Sequence, residues 1–274
     1  MTVTLGTLAL VGTDADGVRW STQGPTSNWW DGPASTAAAV QKPRGNGGWS
    51  GDAYNQAAHI TVPVLLSAPT SVALDGALDR LKAAASLSMT TLTWDDGRYV
   101  LVKREDAVLV KRHSPTVALA SVQLLAPDPR RFGQTLTVST ALPASSGGLT
   151  IPFTIPFSID ATTVSGQVSL TNPGNVAGPV RLRIDGPVTG PVVTHVSSGR
   201  ALVFASSLVL GAGQWVEVDM EARTVLENGQ ASRNGWVTSR GWSQFEPGDN
   251  TWAFTAVSYD AGSLLTVTAV GAWE

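Results

Sequence analysis

The chain has 274 residues, which is enough for two domains of ordinary size. It contains no cysteine, so disulfides, thiolate metal sites and thiol nucleophiles are excluded. Its net charge of −3 does not favour non-specific binding to duplex nucleic acid. The N-terminal stretch MTVTLGTLALVGTDADG has no basic segment and predicts a first strand rather than a secretory signal, and no apolar run reaches the ~18 residues of a membrane span.

Strand signals dominate the first half of the chain. Segments rich in Val, Leu and Thr predict strands within 59–66, 91–112 and 116–125. Acidic turns at 95–97 and 105–106 divide the middle segment, because Asp-Gly and Glu-Asp pairs favour tight turns. The sequence therefore predicts a three-stranded meander across residues 91–112.

A single helix is predicted over about 72–86. Its apolar side chains recur at helical spacing and would share one face: Leu74, Leu78, Leu81 and Ala85. The preceding Pro69-Thr70-Ser71 can start or cap the helix. Gly76 weakens the helical pattern but does not break it.

The stretch QKPRGNGGWSGDAYNQ at 41–56 predicts a long loop, since its glycines, its proline and its lack of periodicity argue against a simple strand. Trp49 and Tyr54 within it indicate packing against a partner. In SNWWDGP, an extended backbone would let at most one of Trp29 and Trp30 face inward.

The second half predicts a separate domain. PDPRRFG closes a first domain at residues 1–135, and the Pro- and Gly-rich stretch 136–157 predicts a linker or crossover. From 158 to 274, turn signals every ten to fifteen residues predict a β-sandwich. The fold class expected is all-β with one packed helix.

The stretch GWSQFEPGDNTWAF at 241–254 surrounds one polar turn with aromatic residues. Strict alternation places Trp252 and Phe254 on one strand face, which favours a role in the sandwich core. A sugar ring could stack on Trp242 or Phe245 instead, because tryptophan and phenylalanine serve both purposes.

No catalytic, cofactor or metal site is predicted. His59, His113 and His195 lack a second histidine at ligand spacing. The segment 14–17, Asp-Ala-Asp-Gly, lacks the further oxygen ligands of a calcium loop and predicts a hairpin turn.

A glycoside hydrolase would need two carboxylates across a groove, about 5–10 Å apart. The candidate groups sit in predicted turns or along one strand face, where acids have plainer roles: Asp95 with Asp96, Glu217 with Asp219 and Glu221, and Glu246 with Asp249. The sequence gives no persuasive pair.

Four stretches in order make the chain similar to the distal tail protein family of long-tailed bacteriophages. They are PRGNGGWSGDAY followed by HITVPVLL, then VQLLAPDPRRFG, then GGLTIPFTIPF with VSLTNPGNVAGPVRLRIDGPV, and finally the 241–254 stretch. The similarity spans nearly the whole chain. It departs from the family at Trp49, which follows Gly47-Gly48 where relatives often carry a histidine.

The resemblance implies a tail-tube-like β-barrel or sandwich at the N-terminus and a galectin-like sandwich at the C-terminus. It implies a structural virion protein, not an enzyme, without cofactor and without membrane insertion. Six copies would form a ring at the distal tail tip, between the tail-tube protein and the tail-tip hub protein. DNA would pass through the lumen without sequence-specific contact, and the protein would be made in the bacterial cytoplasm.

The expected subunit-interface residues are Lys42, Arg44, Trp49 and Tyr54 in the first loop, with Arg130 and Arg131 as a second set. An assembly protein needs broad complementary surfaces rather than convergent catalytic groups. The alternative function is carbohydrate binding by the C-terminal sandwich for host attachment, through Trp242 and Phe245.

Overall fold

In the computed structural model the described residues are 2–22, 29–142 and 166–274. Residues 143–157 of the predicted linker lie outside them. The chain divides into unit 1, residues 1–133 with Glu274, and unit 2, residues 134–273. A strand at Arg131–Ala141 runs through the positions where the sequence predicts the first domain to end and the linker to begin.

Unit 1 holds the first thirteen strands, the helix and the first three residues of the fourteenth strand. The strands are β1 (Thr4–Leu5), β2 (Leu8–Ala9), β3 (Gly12–Thr13), β4 (Arg19–Thr22), β5 (Ser35–Thr36), β6 (Ala39–Gln41), β7 (Gly48–Ser50), β8 (Tyr54–Asn55), β9 (Ala58–Ser67), β10 (Thr90–Thr93), β11 (Tyr99–Arg104), β12 (Leu109–Ser114), β13 (Val117–Ala126) and β14 (Arg131–Ala141), the last of which continues into unit 2, and helix α1 is Ser71–Ala84.

The centre of unit 1 is the antiparallel pair β9 and β13, which are in register over ten residues. Both strands alternate buried and outward residues, as a half-buried strand must. Strand β4 extends the pair beyond β9, and β12 lies on the other side of β13. Strands β1, β2, β10 and β11 form a second antiparallel set.

The helix is confirmed close to its predicted bounds. Its inward residues are the predicted ones, Leu74, Leu78, Leu81 and, just past its end, Ala85, each no more than 4% exposed. The Thr70 side chain caps the N-terminus by accepting a hydrogen bond from the Ala73 amide at 3.2 Å.

The predicted meander is only half right. Strands β10 and β11 form the expected hairpin, with Gly97 at positive φ in its turn. Strand β12 pairs with β13 instead of β11. The reason is that Lys103 and Arg104 at the end of β11 pair with β13. Strand β12 therefore forms a hairpin with β13 through the tight turn that follows Ser114.

Unit 2 contains the later strands and one short 3₁₀ helix at Asn234–Trp236. Its strands are β15 (Gln167–Asn172), β16 (Val180–Asp185), β17 (Val188–Thr189), β18 (Val192–His195), β19 (Arg200–Phe204), β20 (Val209–Leu210), β21 (Trp215–Asp219), β22 (Thr224–Glu227), β23 (Ala231–Ser232), β24 (Val237–Arg240), β25 (Gly248–Thr255), β26 (Ser258–Tyr259) and β27 (Leu264–Trp273).

Unit 2 is a β-sandwich. One sheet has the order β15-β25-β18-β19-β24, and the facing strands include β22-β21-β16-β27. Buried residues from both sheets, such as Trp252 and Ile184, belong to one apolar cluster. The all-β fold with one helix in the described residues is therefore confirmed, whereas unit 1 shows no closed barrel among its described strands.

Candidate functional site

The predicted loop at 41–56 is part of a two-stranded antiparallel arm, which we define as residues 34–56. Strand β5 pairs with β8, and β6 pairs with β7 nearer the tip. Backbone bonds continue the ladder on both sides of these pairs, from Gly51 to Ala38 and from Lys42 to Gly47. The absence of strand periodicity was therefore misleading, because an arm that buries neither face needs no alternation.

Glycine makes the tip of the arm possible. Gly45 and Gly47 have φ values of +99° and +89°, which other residues rarely adopt. A Cβ on Gly48 would lie 2.9 Å from the Val40 carbonyl oxygen, so β6 and β7 approach too closely for a side chain.

The arm carries its apolar side chains in the open. Val40, Trp49 and Tyr54 are 64%, 57% and 69% exposed. Arg44 at the tip is exposed, and Lys42 is half-buried. At the base, the Asn55 side-chain amide donates to the Glu274 carboxylate, and the Gln56 amide donates to the Thr36 hydroxyl at 2.9 Å. The structure thus brings all four predicted residues of this segment onto one projecting element.

Arg130 and Arg131, the second predicted interface set, have partners inside unit 1. The Arg130 guanidinium makes a two-pronged ion pair with Asp128, with N–O distances of 2.6–3.1 Å, and lies over the Phe132 ring. Arg131 donates to the Trp29 carbonyl at 3.0 Å, and burial lowers its pKa. Both side chains therefore help to shape this part of unit 1.

Of the two neighbouring tryptophans one faces inward and one outward, at a bend of the backbone rather than in an extended strand. Trp29 is 1% exposed and packs against Trp94, with ring centroids 5.6 Å apart, whereas Trp30 is 65% exposed.

The Asp14–Gly17 segment is the predicted hairpin turn. One Asp14 carboxylate oxygen accepts from the amides of Asp16 and Val18, and the other accepts from the Trp20 indole and from Arg80 on α1. Burial by itself would raise the pKa of Asp14. The hydrogen bonds from Trp20 and Val18 and the charge of Arg80 outweigh burial, so the pKa is lowered. Every oxygen of this carboxylate is thereby used within the fold.

The aromatic stretch 241–254 contributes three fully buried rings. Trp252 and Phe254 lie in the core as predicted, at 0% and 1% exposure. Phe245 is also 0% exposed and packs on Trp252, so its prediction as a sugar contact is wrong. Its backbone forms a two-way bridge with Gly178, which holds the ring inward.

Trp242 has a different position. Its indole is half-buried and lines an open cavity of about 240 Å³ together with Arg223, Asn234 and Arg240. We call these four residues the arginine pocket. The three polar members carry no signal in the sequence, because they come from a turn, a 3₁₀ helix and an edge strand that only the folded sandwich brings together.

A larger cavity of about 420 Å³ lies over the strands β16, β21, β22 and β27. Both arginines of its lining have carboxylate partners: Arg181 pairs with Asp219 at 3.0 Å, and Arg183 pairs with Asp185 at 2.8 Å. The ion pair with Asp185 raises the pKa of Arg183, whose guanidinium lies over the Trp215 ring at 4.5 Å.

Four of the carboxylates considered for hydrolysis have structural partners. Asp95 accepts from the Thr2 amide at 2.6 Å, and this bond lowers its pKa. Asp96 accepts from the Arg98 amide, and Asp249 accepts from the Thr171 hydroxyl at 2.7 Å. Asp219 caps the turn that follows β21 by accepting from the Glu221 and Ala222 amides.

The histidines do not gather. His195 is buried between Asn250 and Ser198, and burial lowers its pKa. His59 bonds Glu105 at 2.8 Å, and His113 lies exposed on β12. Across residues 2–22, 29–142 and 166–274, no three His, Asp or Glu side chains come together as a metal site. In the same ranges, no helix is both long and apolar enough to cross a bilayer.

Comparison with known proteins identifies the C-terminal unit. Residues 173–267 match the profile of the siphovirus-type tail component, C-terminal domain. The crystal structure of the phage SPP1 Dit protein (gp 19.1) superposes with a TM-score of 0.66 at 10% identity, over 93% of each chain. A structure of the phage P2 baseplate superposes with a TM-score of 0.50 at 11% identity, over 97% of this chain and 96% of the other. No curated protein sequence matches the chain.

The order of motifs in the sequence, the two-unit β fold and the matched C-terminal domain agree with one another. Residues 173–267 are therefore similar to the C-terminal domain of siphovirus-type tail components, and the fold of the chain is similar to that of the SPP1 Dit protein.

Proposed function

We propose that six copies of this chain form a closed ring at the distal end of a phage tail. The ring joins the tail tube to the tip hub and leaves a lumen through which DNA passes without base-specific contact. The protein is made in the host cytoplasm, has no catalytic role and does not insert into a membrane. The galectin-like C-terminal sandwich lies on the ring's periphery.

The arm is the observation that supports this proposal. An isolated two-stranded hairpin is marginally stable in water, and stable ones bury a face against other elements. Nearly every residue of the arm is exposed, including Val40, Trp49 and Tyr54. Such a surface gains most by packing on a second molecule, because aromatic side chains supply large apolar area at interfaces.

The form of the arm is compatible with a ring. An arm that projects from one copy onto a different surface of the next makes a heterologous contact, and such contacts give a ring when the rotation between copies closes. Lys42 and Arg44 place positive charge near the tip, which suits an acidic patch on the neighbouring copy.

The test is the native mass of the full chain by light scattering, with negative-stain images of the same fraction. We expect six times the 28.5 kDa of one chain, or twelve times for two stacked rings. The double variant Trp49→Ala/Tyr54→Ala should shift the population to monomer. Val72→Ala, on the exposed face of α1 at 79% exposure, is the matched control and should leave the ring intact.

A chain that stays monomeric at all concentrations, alone and mixed with the tube and hub proteins of its phage, would contradict ring assembly. A ring that survives the double variant unchanged would remove the arm from the interface and direct attention to Arg130 and Arg131.

A second candidate function is carbohydrate binding by unit 2. The observation that favours it is the half-buried Trp242 at the edge of an open cavity with polar neighbours, which is the arrangement of a small binding site. Phe245 has no part in it.

A further inference from the structure

The six arginines of unit 2 fall into two groups. Three have carboxylate partners: Arg181 with Asp219, Arg183 with Asp185, and Arg233 with Glu227. The other three gather at Trp242. Arg223 and Arg240 line its pocket, and Arg200 donates to the Trp242 carbonyl at 3.2 Å.

None of Arg200, Arg223 and Arg240 forms an ion pair with a carboxylate in the described part of the chain. This is unusual for unit 2, in which acids outnumber arginines and no lysine occurs. Like charges placed together cost free energy, so a cluster of this kind is the natural place for an anion.

Hydrogen bonds to the backbone hold the pocket in shape. The Asn234 amide group donates to the Arg223 carbonyl at 3.1 Å, and its oxygen accepts from the Val225 amide at 2.6 Å. The Trp242 amide donates to the Arg240 carbonyl at 2.9 Å. A binder whose frame is already fixed loses less entropy when a ligand arrives.

Arg223 is also one of two non-glycine residues with positive φ among those described, at +56°. This conformation is unfavourable for a residue with a Cβ, and glycine would avoid the strain. An arginine at this position is explained if its guanidinium contributes to the pocket, since strained residues concentrate at functional sites.

We propose that the arginine pocket, with Arg200 beside it, binds a sugar ring that carries a carboxylate or a phosphate. The apolar face of a pyranose packs on the Trp242 indole, and the guanidinium groups bind the anion through paired charge-assisted hydrogen bonds. The cavity is smaller than the ~300–1,000 Å³ typical of drug-sized ligands, so it suits one ring of a longer chain. The inference rests on the second candidate function and is independent of ring assembly.

The experiment is calorimetric titration of the full chain with four probes. They are a galacturonic acid trisaccharide, glucose 1-phosphate, a neutral glucose trisaccharide and a hexaglutamate peptide. We expect the two acidic sugars to bind at least tenfold more tightly than the neutral one. The ratio of the dissociation constants of the galacturonic acid trisaccharide and of glucose 1-phosphate identifies the preferred anion. Binding should weaken with added salt, because these arginines are solvent-accessible.

Variants assign the binding to the pocket. Trp242→Ala, Arg240→Gln and Arg223→Gly should each weaken acidic-sugar binding by about tenfold to a hundredfold, as loss of a charge-assisted bond or a stacking surface predicts. Glycine at 223 keeps the required φ, so the fold is preserved. Arg181→Gln, an exposed arginine of the same sandwich outside the pocket, is the matched control and should bind as the native chain does.

Four results would overturn the proposal. The neutral trisaccharide could bind as tightly as the acidic one, which would leave carbohydrate binding intact but remove the role of the anion. A second such result is that neither acidic sugar binds. A third is that only hexaglutamate binds, which would make the pocket a docking point for an acidic protein segment. Equal weakening by Arg181→Gln would reduce the effect to general charge.

Discussion

The arm of unit 1 and the core of unit 2 both carry aromatic residues, which are exposed on the arm and buried in the core. Trp49 and Tyr54 lie mostly in solvent on a two-stranded element, whereas Trp252 and Phe254 are buried in a sandwich. Both pairs sit near glycine-containing turns on β-strands. The difference lies in what covers the strands, since β25 has a facing sheet and the arm has none within the described chain.

An aromatic residue therefore takes its role from its surroundings rather than from its type. Around Trp252 every polar group is satisfied: the indole donates to Ser243 at 3.3 Å, and the His195 ring lies at 5.0 Å. The buried Asn250 oxygen accepts from His195 and from the Glu246 amide, and its amide group donates to two carbonyls. A network of this kind is typical of a protein interior, in which buried polar groups are hydrogen-bonded.

The largest expected effect is the loss of stability on removing Trp252, and the exposed Trp49 provides the contrast. Trp252→Ala should destabilise unit 2 by about 3–5 kcal/mol, because it leaves a large cavity in the core. Trp49→Ala should change stability by no more than about 0.5 kcal/mol, as for other exposed positions. Hydrogen exchange of β25 and of β9 in the full chain measures both units separately. Equal losses in the two variants would erase the distinction between the regions.

A smaller effect should follow from His195. Its Nε2 faces the Asn250 oxygen and so carries the proton, and Nδ1 accepts from Ser198 at 2.7 Å. Burial lowers the pKa of His195, the nearby Arg200 charge lowers it too, and Asn250 and Glu246 oppose these shifts in part. The unfolded chain therefore binds more protons, so stability is complete above about pH 6.5 and falls as the pH drops below it.

The measurement is the unfolding midpoint of unit 2 between pH 8 and pH 5, chosen as roughly one to two units on either side of the ordinary histidine pKa. His195→Gln should flatten the acid side of the profile. His113→Gln, on the exposed edge strand β12, should leave it as it is. If the two variants give the same profile, His195 is not the group responsible.

The smallest effect is expected from a single methyl group in the arm. In Gly48→Ala the new Cβ meets the Val40 carbonyl at 2.9 Å, so β6 and β7 must separate slightly. We expect ring formation to need a higher protein concentration, while the stability of unit 1 hardly changes. Gly51→Ala, where a Cβ would meet nothing within 4 Å, is the control, and light scattering over a dilution series compares the two. Identical dilution curves would show that the pairing of β6 with β7 does not govern assembly.

Several features of the fold could be read from local sequence because their causes are local. The leucine spacing at 74–81 fixed the inward face of α1, and Thr70 fixed its start. Alternation placed Trp252 and Phe254 in the core. The sequence led us to expect at most one of Trp29 and Trp30 to face inward, and only Trp29 is buried, although the backbone bends there.

Other features needed the tertiary structure. Phe245 carries no local signal of burial, because its position depends on the backbone bridge to Gly178, far away in the chain. The pairing of β12 depends on β13 having already taken the end of β11. The arm looked like a loop because alternation reports burial on one face, and neither of its faces is buried.

By itself, then, the sequence determined the helix and the main turns, which depend on neighbours within a few residues, and the fold class and family resemblance, which depend on the order of such local signals along the chain. The tertiary structure decided which aromatics are exposed and where the arginines gather. Arg223, Arg240 and Trp242 reach one pocket only because the sandwich brings a turn of one sheet beside an edge strand of the other. Long-range placement of this kind leaves no periodic signal in the chain, since it arises from packing and not from local backbone preference.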